Sequence, residues 1–308
     1  MIGNAERPKA CCPLCKQDSP LYFQSKDYNR NITNDTFNHY RCPQCKLIFI
    51  FPIPANLSSY YSEAYYSIPT SMTQLETSSK PEQYKIEIIQ QFVKTGRLLE
   101  IGAAHGRFVY LAKKVGFEVD AIEMNSQCCE FMNEVIGINA IENDDPIAVL
   151  QKMEPYDVIA LWHVIEHLPN PWSILDAIST NLKPNGIVVL SAPNPGAFQF
   201  QIMGHYWPHV DAPRHLTLIP MKLLVKKLEA LGMKKELITT NDQASNSLNT
   251  SGWSHFFGNL CSQSKILSRL FSRIPTYPFG RLASLLFSPI ERIEGEGCAY
   301  TMVFRKGA

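Results

Sequence analysis

Between Arg97 and Leu190 the chain repeats one unit: a short apolar run, a tight turn and a helical stretch. That repeat constrains the fold more than any other feature, because strands separated by helices pair in parallel and need helices on both faces. The first run is Leu98-Leu99-Glu100-Ile101, followed by the turn Gly102-Ala103-Ala104-His105-Gly106. A helix then sets Phe108, Leu111, Ala112 and Val115 on one face. The second strand, Phe117 to Ile122, ends in Glu123, and the third, near Ile138–Ile141, runs into Asn143-Asp144-Asp145. The fourth, Asp157 to Leu161, ends in Trp162-His163. A helix from Pro171 to Leu182 leads through Pro184-Asn185-Gly186 to a fifth strand, Ile187–Leu190. Met221 to Leu231 has helical spacing, and Met233–Thr240 with Ala299–Arg305 read as an antiparallel pair closing the sheet. The expectation is an α/β, Rossmann-like sheet of seven strands.

In such a sheet, ligands bind beyond the carboxyl ends of the strands, where strand order reverses. Glu100, Gly102, Gly106, Glu123, Asp144, Trp162 and His163 all fall there. Glycines admit a ligand close to the backbone, and the helix start after Gly106 offers free N–H groups. Glu123, about 20 residues past the turn, is placed to accept both hydroxyls of a ribose.

Ahead of this region lie two matched pairs, Cys12-Pro-Leu-Cys15 and Cys42-Pro-Gln-Cys45. Each Cys-x-x-Cys is a turn that aims two sulfurs at one centre, and together they supply the four thiolates of a tetrahedral zinc. Leu21-Tyr22-Phe23 and Phe37 to Tyr40 read as a β-ribbon between the pairs, a unit too small to fold without a staple. Four thiolates leave no open position, so this zinc is expected to be structural, and Cys11 is left outside it. The expected division is a zinc ribbon over 1–55, a linker over 56–80 and one domain over 81–308, opened by a helix from about Pro81 to Val93.

With these residues in view, the chain resembles the class I S-adenosylmethionine-dependent methyltransferases. Glu100-Ile-Gly-Ala-Ala-His-Gly106 is similar to that family's first motif, with Ala104 replacing its middle glycine. The resemblance implies S-adenosylmethionine as cofactor, with Glu100, Gly102, Ala104 and Gly106 around its methionine end. It also implies Glu123 on the ribose, Asp144 toward the adenine amine, and the segment at Trp162 lining the sulfonium side. A zinc ribbon before such a core resembles a bacterial subgroup that includes sugar C-methyltransferases, whose further carboxy-terminal domain has no counterpart in this chain. A pyrophosphate-binding turn would place glycines at one, three and six, a spacing absent after Gly102.

The segment Pro193 to Pro220 leaves the carboxyl edge carrying His205, Tyr206, Trp207, His209, Asp211, Arg214 and His215. It is expected to wall the acceptor pocket. His163 and His215 are the candidate bases, since imidazole changes charge near neutrality. Arg214 is read either as an anchor for an anionic acceptor or, with His215, as a stitch between loop and core. His167 is read as capping or packing at the start of the next helix, and His105 as facing solvent.

A second insertion, 241–290, holds no acidic residue between Gln243 and Ile290 but carries Lys265, Arg269, Arg273 and Arg281. Ile266, Leu267, Leu270, Phe271 and Ile274 lie opposite three of those charges at helical spacing. It reads as a lid, a dimer surface or a segment, 262–290, resting peripherally on anionic lipid.

Composition excludes the remaining classes. At 308 residues, 45% hydrophobic and 19% charged, the chain is an ordinary folded protein. A net charge of +1 with scattered ribbon cations argues against nucleic acid, and so against an RNA methyltransferase. No run of apolar residues is long enough for a membrane span, and the start lacks the apolar segment of a secretory signal, so a cytoplasmic location is expected. The expected activity is methyl transfer to a small-molecule or glycan-like acceptor. A non-catalytic binding protein on the same fold is the contrasting class.

Overall fold

The structure is a computed structural model, and it describes residues 8–61, 66–263 and 277–308. The proposed amphipathic segment Ile266–Ile274 lies outside the described residues.

Seven strands build the main sheet: β5 (Gly96–Ile101), β6 (Phe117–Glu123), β7 (Asn139–Glu142), β8 (Tyr156–Trp162), β9 (Leu182–Pro193), β11 (Met233–Thr239) and β12 (Ala299–Lys306), in the order β11-β12-β9-β8-β5-β6-β7. β5 pairs in parallel with both β6 and β8, so strand order reverses at the carboxyl ends of β5 and β8. β12 runs antiparallel between β9 and β11, as expected. Side chains alternate through the central strands. Val158, Ala160 and Trp162 of β8 join one apolar core, while Ile159 and Leu161 join the other.

Helices α1 (Met72–Ser79), α2 (Gln83–Gln90), α3 (Arg107–Lys114) and α4 (Ser126–Phe131) cover the first face. Helices α5 (Pro146–Leu150), α6 (Pro171–Asn181) and α8 (Met221–Ala230) cover the second. Each of α4, α5 and α6 opens on an Asn or Asp whose side chain accepts a hydrogen bond from the first turn. The helix expected from Pro171 begins there, capped by Asn170, so His167 does not stand at its start. His167 belongs instead to a separate single turn, Ile165–His167.

The amino-terminal strands β1 (Lys9–Cys11), β2 (Asp18–Ser25), β3 (Phe37–Arg41) and β4 (Ile48–Ile50) form an antiparallel sheet. A fifth strand, β10 (Thr217–Leu218), is contributed from the segment after β9, pairing with Phe49 and Ile48. The sequence pattern did not reveal this strand, because two residues carry no detectable alternation. Its consequence is that the ribbon is sewn into the larger domain: Cys12, Tyr40, Leu47 and Phe49 share a core with α6 and α8.

His39 shows how tightly the ribbon is buried. Its ring is stacked on Phe23 at 4.5 Å and meets Ser25 Oγ at 2.8 Å. Burial, reinforced by nearby His205, pushes its pKa down to about 3. Below pH of about 6.5 the unfolded imidazole takes up a proton that the folded one refuses, so stability falls with falling pH by about 1.4 kcal/mol per unit until about pH 3. Urea unfolding at pH 7 and pH 5 should show a shallower acid loss in His39→Leu than in the parent, by about 2 kcal/mol. Equal losses would contradict the neutral, buried imidazole.

The second insertion folds as α9 (Gln243–Gln263) and α10 (Tyr277–Glu291), which pack on each other and on α7 (Phe198–Met203). Trp253 stacks on Phe287 at 4.9 Å, and Trp253 Nε1 donates to Glu291 Oε1 at 2.8 Å. Among the described residues, no helix is long and apolar enough to cross a membrane.

Candidate functional site

The turn between β5 and α3 is built by backbone conformation. Gly102 and Gly106 sit at φ +73° and +80°, and a Cβ on either would lie 2.6 Å from a neighbouring side chain, Val164 or Ile136. Ala104 also lies in the left-handed region, at φ +47°, which costs an alanine about 1 kcal/mol. Its N–H donates to Glu123 Oε2 at 2.8 Å, and the N–H of Asn125 donates to Oε1 at 3.0 Å. Glu123 therefore ties the tip of β6 to the glycine turn. Burial raises the pKa of Glu123, and the N–H groups of Asn125, Ala104 and Met124 with the Tyr66 side chain work against that rise.

Glu100 is buried under the turn, and its Oε2 has no hydrogen-bond partner. Burial lifts its pKa well above the carboxylate range, with Lys85 pulling the other way. Trp162 closes the β8 side, edge-on to Phe108 at 5.6 Å, and its Nε1 is buried without a partner. Lys85 of α2 lies 4.9 Å over the Trp162 ring and pairs with Glu82 at 2.8 Å. Asp144 is exposed just beyond β7, and its neighbour Asp145 caps α5. His105, expected to face solvent, is half-buried: its Nε2 is enclosed, and burial, then Arg107, lowers its pKa.

These features fit S-adenosylmethionine. A carboxylate at the tip of the strand beside the glycine turn suits a ribose diol, and unpartnered buried polar atoms at Glu100 and Trp162 mark where polar ligand atoms are met. Tyr66 and Lys85 were missed from sequence. The density of tyrosines at 60–66 was the available signal for the first, whereas nothing in the α2 pattern singled out the second.

Beyond β8, His163 stands at φ +57°, and its N–H donates to the carbonyl of Ser191 at 3.0 Å. Because Val164 packs against Gly102, His163 lies beside the glycine turn. Its Nδ1 lies 3.6 Å from Glu166 Oε1, and His215 Nε2 lies 3.9 Å from the same atom. The structure thus brings the two candidate bases around one buried carboxylate. Burial alone would raise Glu166, but the His163 contact and the charges of His167 and His215 hold it down to about 2. His167 is half-buried; desolvation and then His215 lower its pKa to about 4.

Arg214 cannot reach an acceptor. Its buried guanidinium donates to Asp27 Oδ1 at 2.6 Å and to Asp211 at 2.8 and 3.0 Å, joining the segment after β9 to the ribbon. The stitching alternative is the one the geometry supports.

In the ribbon, Cys12, Cys15, Cys42 and Cys45 converge. Their Sγ–Sγ separations include 3.3, 3.6 and 3.8 Å. A tetrahedral zinc with bonds of about 2.3 Å needs sulfurs about 3.8 Å apart. The two knuckles repeat each other. Lys16 and Lys46, one residue past each pair, adopt φ +60° and +64°, and each backbone N–H returns to the first cysteine of its pair. Cys11 stands outside the cluster, its thiol directed at the Lys16 carbonyl.

The fold is that of the class I S-adenosylmethionine-dependent methyltransferases. Residues 78–236, just over half of the chain, match the family described as "Methyltransferase domain", and the chain belongs to that family. Among curated proteins, the ubiquinone biosynthesis O-methyltransferase of Cereibacter sphaeroides is 31% identical over 117 residues, 36% of this chain and 47% of that protein. The Proteus mirabilis protein of the same description is 25% identical over 158 residues, 46% of this chain and 62% of that one. The match thus covers between about half and three fifths of those relatives' length. A SAM-dependent methyltransferase from Archaeoglobus fulgidus shares the fold at a TM-score of 0.50 and 19% identity, over 74% of this chain and 94% of that one. The phosphoethanolamine N-methyltransferase 2 of Haemonchus contortus, in complex with S-adenosyl-L-methionine, gives 0.51 at 12% identity, over 85% of this chain and 62% of that one.

Proposed function

We propose that this methyltransferase transfers the methyl group of S-adenosylmethionine to a hydroxyl oxygen of a small-molecule or glycan-like acceptor. The observation that carries the reading is the pair of imidazoles, His163 and His215, framing buried Glu166 beside the glycine turn. O-methyl transfer is the activity in the names of the curated relatives, and an oxygen acceptor must lose a proton as it is methylated. The bound cofactor supplies an electrophilic methyl on sulfur. The chain's residues hold it: Glu123 on the ribose, Asp144 toward the adenine, and Glu100, Gly102, Ala104, Gly106 and Trp162 around its methionine and sulfonium end. One of the two imidazoles takes the acceptor proton. The segment 193–220 and the ribbon wall the acceptor side, where Tyr28 meets Tyr206 at 5.2 Å and Asn29 donates to Asp211 at 2.7 Å. The proposed division remains a ribbon over 1–55, a linker over 56–80 and the catalytic domain over 81–308. One structural zinc in the four thiolates fits a reducing compartment such as the cytoplasm.

The test is turnover with a panel of phenols, catechols and sugar derivatives, reading S-adenosylhomocysteine by mass spectrometry and the methyl position by NMR. An O-methyl product is expected, with kcat lowered about 100-fold or more in His163→Ala or His215→Ala. An N- or C-methyl product, or kcat unchanged in both variants, would overturn the proposal. Elemental analysis should return bound zinc, of which Cys42→Ser loses one equivalent per chain.

A further inference from the structure

Glu166 is a buried carboxylate whose two oxygens have no hydrogen-bond partner. The nearby imidazole nitrogens of His163 and His215, at 3.6 and 3.9 Å, are beyond hydrogen-bonding range. A charged group left so bare inside a protein is costly unless something positive meets it. The histidines around it are oriented in a particular way. His167 Nδ1 lies 3.0 Å from the Arg214 carbonyl and 2.9 Å from the Tyr61 hydroxyl, and His215 Nδ1 lies 2.8 Å from the His209 carbonyl. A carbonyl only accepts, so both rings carry their proton on Nδ1 and present a lone pair at Nε2. Anchoring the far nitrogen on a carbonyl in this way is how metal-ligating histidines are held. The two rings meet edge to face at 4.6 Å, and one donor atom from each of Glu166, His167 and His215 lies within 4.8 Å of the others.

We propose that Glu166, His167 and His215 bind a divalent first-row transition-metal ion that receives the acceptor oxygen. The inference rests on the methyl-transfer reading above and narrows it. Two imidazoles and a carboxylate suit such an ion, and three protein ligands leave positions open, unlike the closed set of four thiolates in the ribbon. An acceptor hydroxyl on the ion is more acidic than in water. Its oxygen attacks the methyl carbon, the carbon–sulfur bond breaks with its electron pair staying on sulfur, and the hydroxyl proton passes to His163. His215 then holds the ion, and the proton falls to His163, whose Nε2 is buried and unpartnered.

The experiment is a Mn2+ titration of the full chain, ribbon zinc left in place, followed by electron paramagnetic resonance. Manganese favours oxygen and nitrogen donors, so the thiolates do not compete. One bound Mn2+ per chain is expected, weakened about 100-fold or more in Glu166→Gln and, separately, in His215→Asn. The same samples are titrated with S-adenosylhomocysteine by calorimetry, which shows that each variant is folded. Binding of S-adenosylhomocysteine without Mn2+, or equal Mn2+ affinity in folded variants, overturns the metal site and leaves the methyl-transfer reading standing. Loss of both in the parent chain overturns the two together.

Discussion

Replacing Glu123 by alanine is expected to weaken S-adenosylhomocysteine binding about 100-fold or more. The carboxylate is buried at the tip of β6 and already holds the turn through the N–H groups of Ala104 and Asn125. Hydrogen bonds to a charged group contribute about 1.5–3 kcal/mol each. Two ribose hydroxyls on Glu123 therefore represent about 3 kcal/mol, and each 1.4 kcal/mol is tenfold in affinity. Calorimetry checks this. Asp144→Ala is the comparison: that side chain is exposed, where solvent competes, and a loss of only a few-fold is expected. Unchanged affinity in Glu123→Ala would remove the ribose assignment and, with it, the placement of the cofactor.

Arg214→Met should cost about 3–5 kcal/mol of stability without touching the glycine turn, because it strips the counter-charge from two carboxylates that stay in place. Asp27 is fully buried and Asp211 nearly so, on opposite sides of the junction between ribbon and core. Burial by itself would raise the pKa of Asp211, but the Arg214 hydrogen bonds overcome it and hold the group far below the usual range. A folded pKa depressed in this way adds stability above the unfolded value near 3.9, and that stability is lost as the pH falls below it. The gap between parent and variant should thus be full at pH 7 and narrow below about pH 4. Urea unfolding at the two pH values measures it. Adding Asp27→Asn and Asp211→Asn to the variant should recover part of the loss, since the neutral amides no longer need a cation.

The sheet was legible because its physics is local and periodic. The runs Leu98–Ile101, Val119–Ile122 and Val158–Leu161 are buried on both faces, and the turn after the first carries glycines at left-handed positions. The paired cysteine turns were legible for a similar reason: the same four-residue turn occurs twice, and a turn is a property of neighbours in sequence. The chain's own residues did not disclose β10, a strand of two residues whose partner lies more than 160 positions away.

Amino-acid order by itself determined the parallel sheet, the glycine turn, the carboxylate at the tip of β6 and the two thiolate pairs, since each is written in spacing over a few residues. Tertiary structure alone decided the role of Arg214, the surroundings of Glu166 and the joining of ribbon to core. Those depend on which distant groups share a buried volume: Asp27 with Arg214, Tyr61 with His167, Glu166 with His215. Burial turns such encounters into strong constraints, because a charge cut off from water must be met by whatever the fold brings beside it.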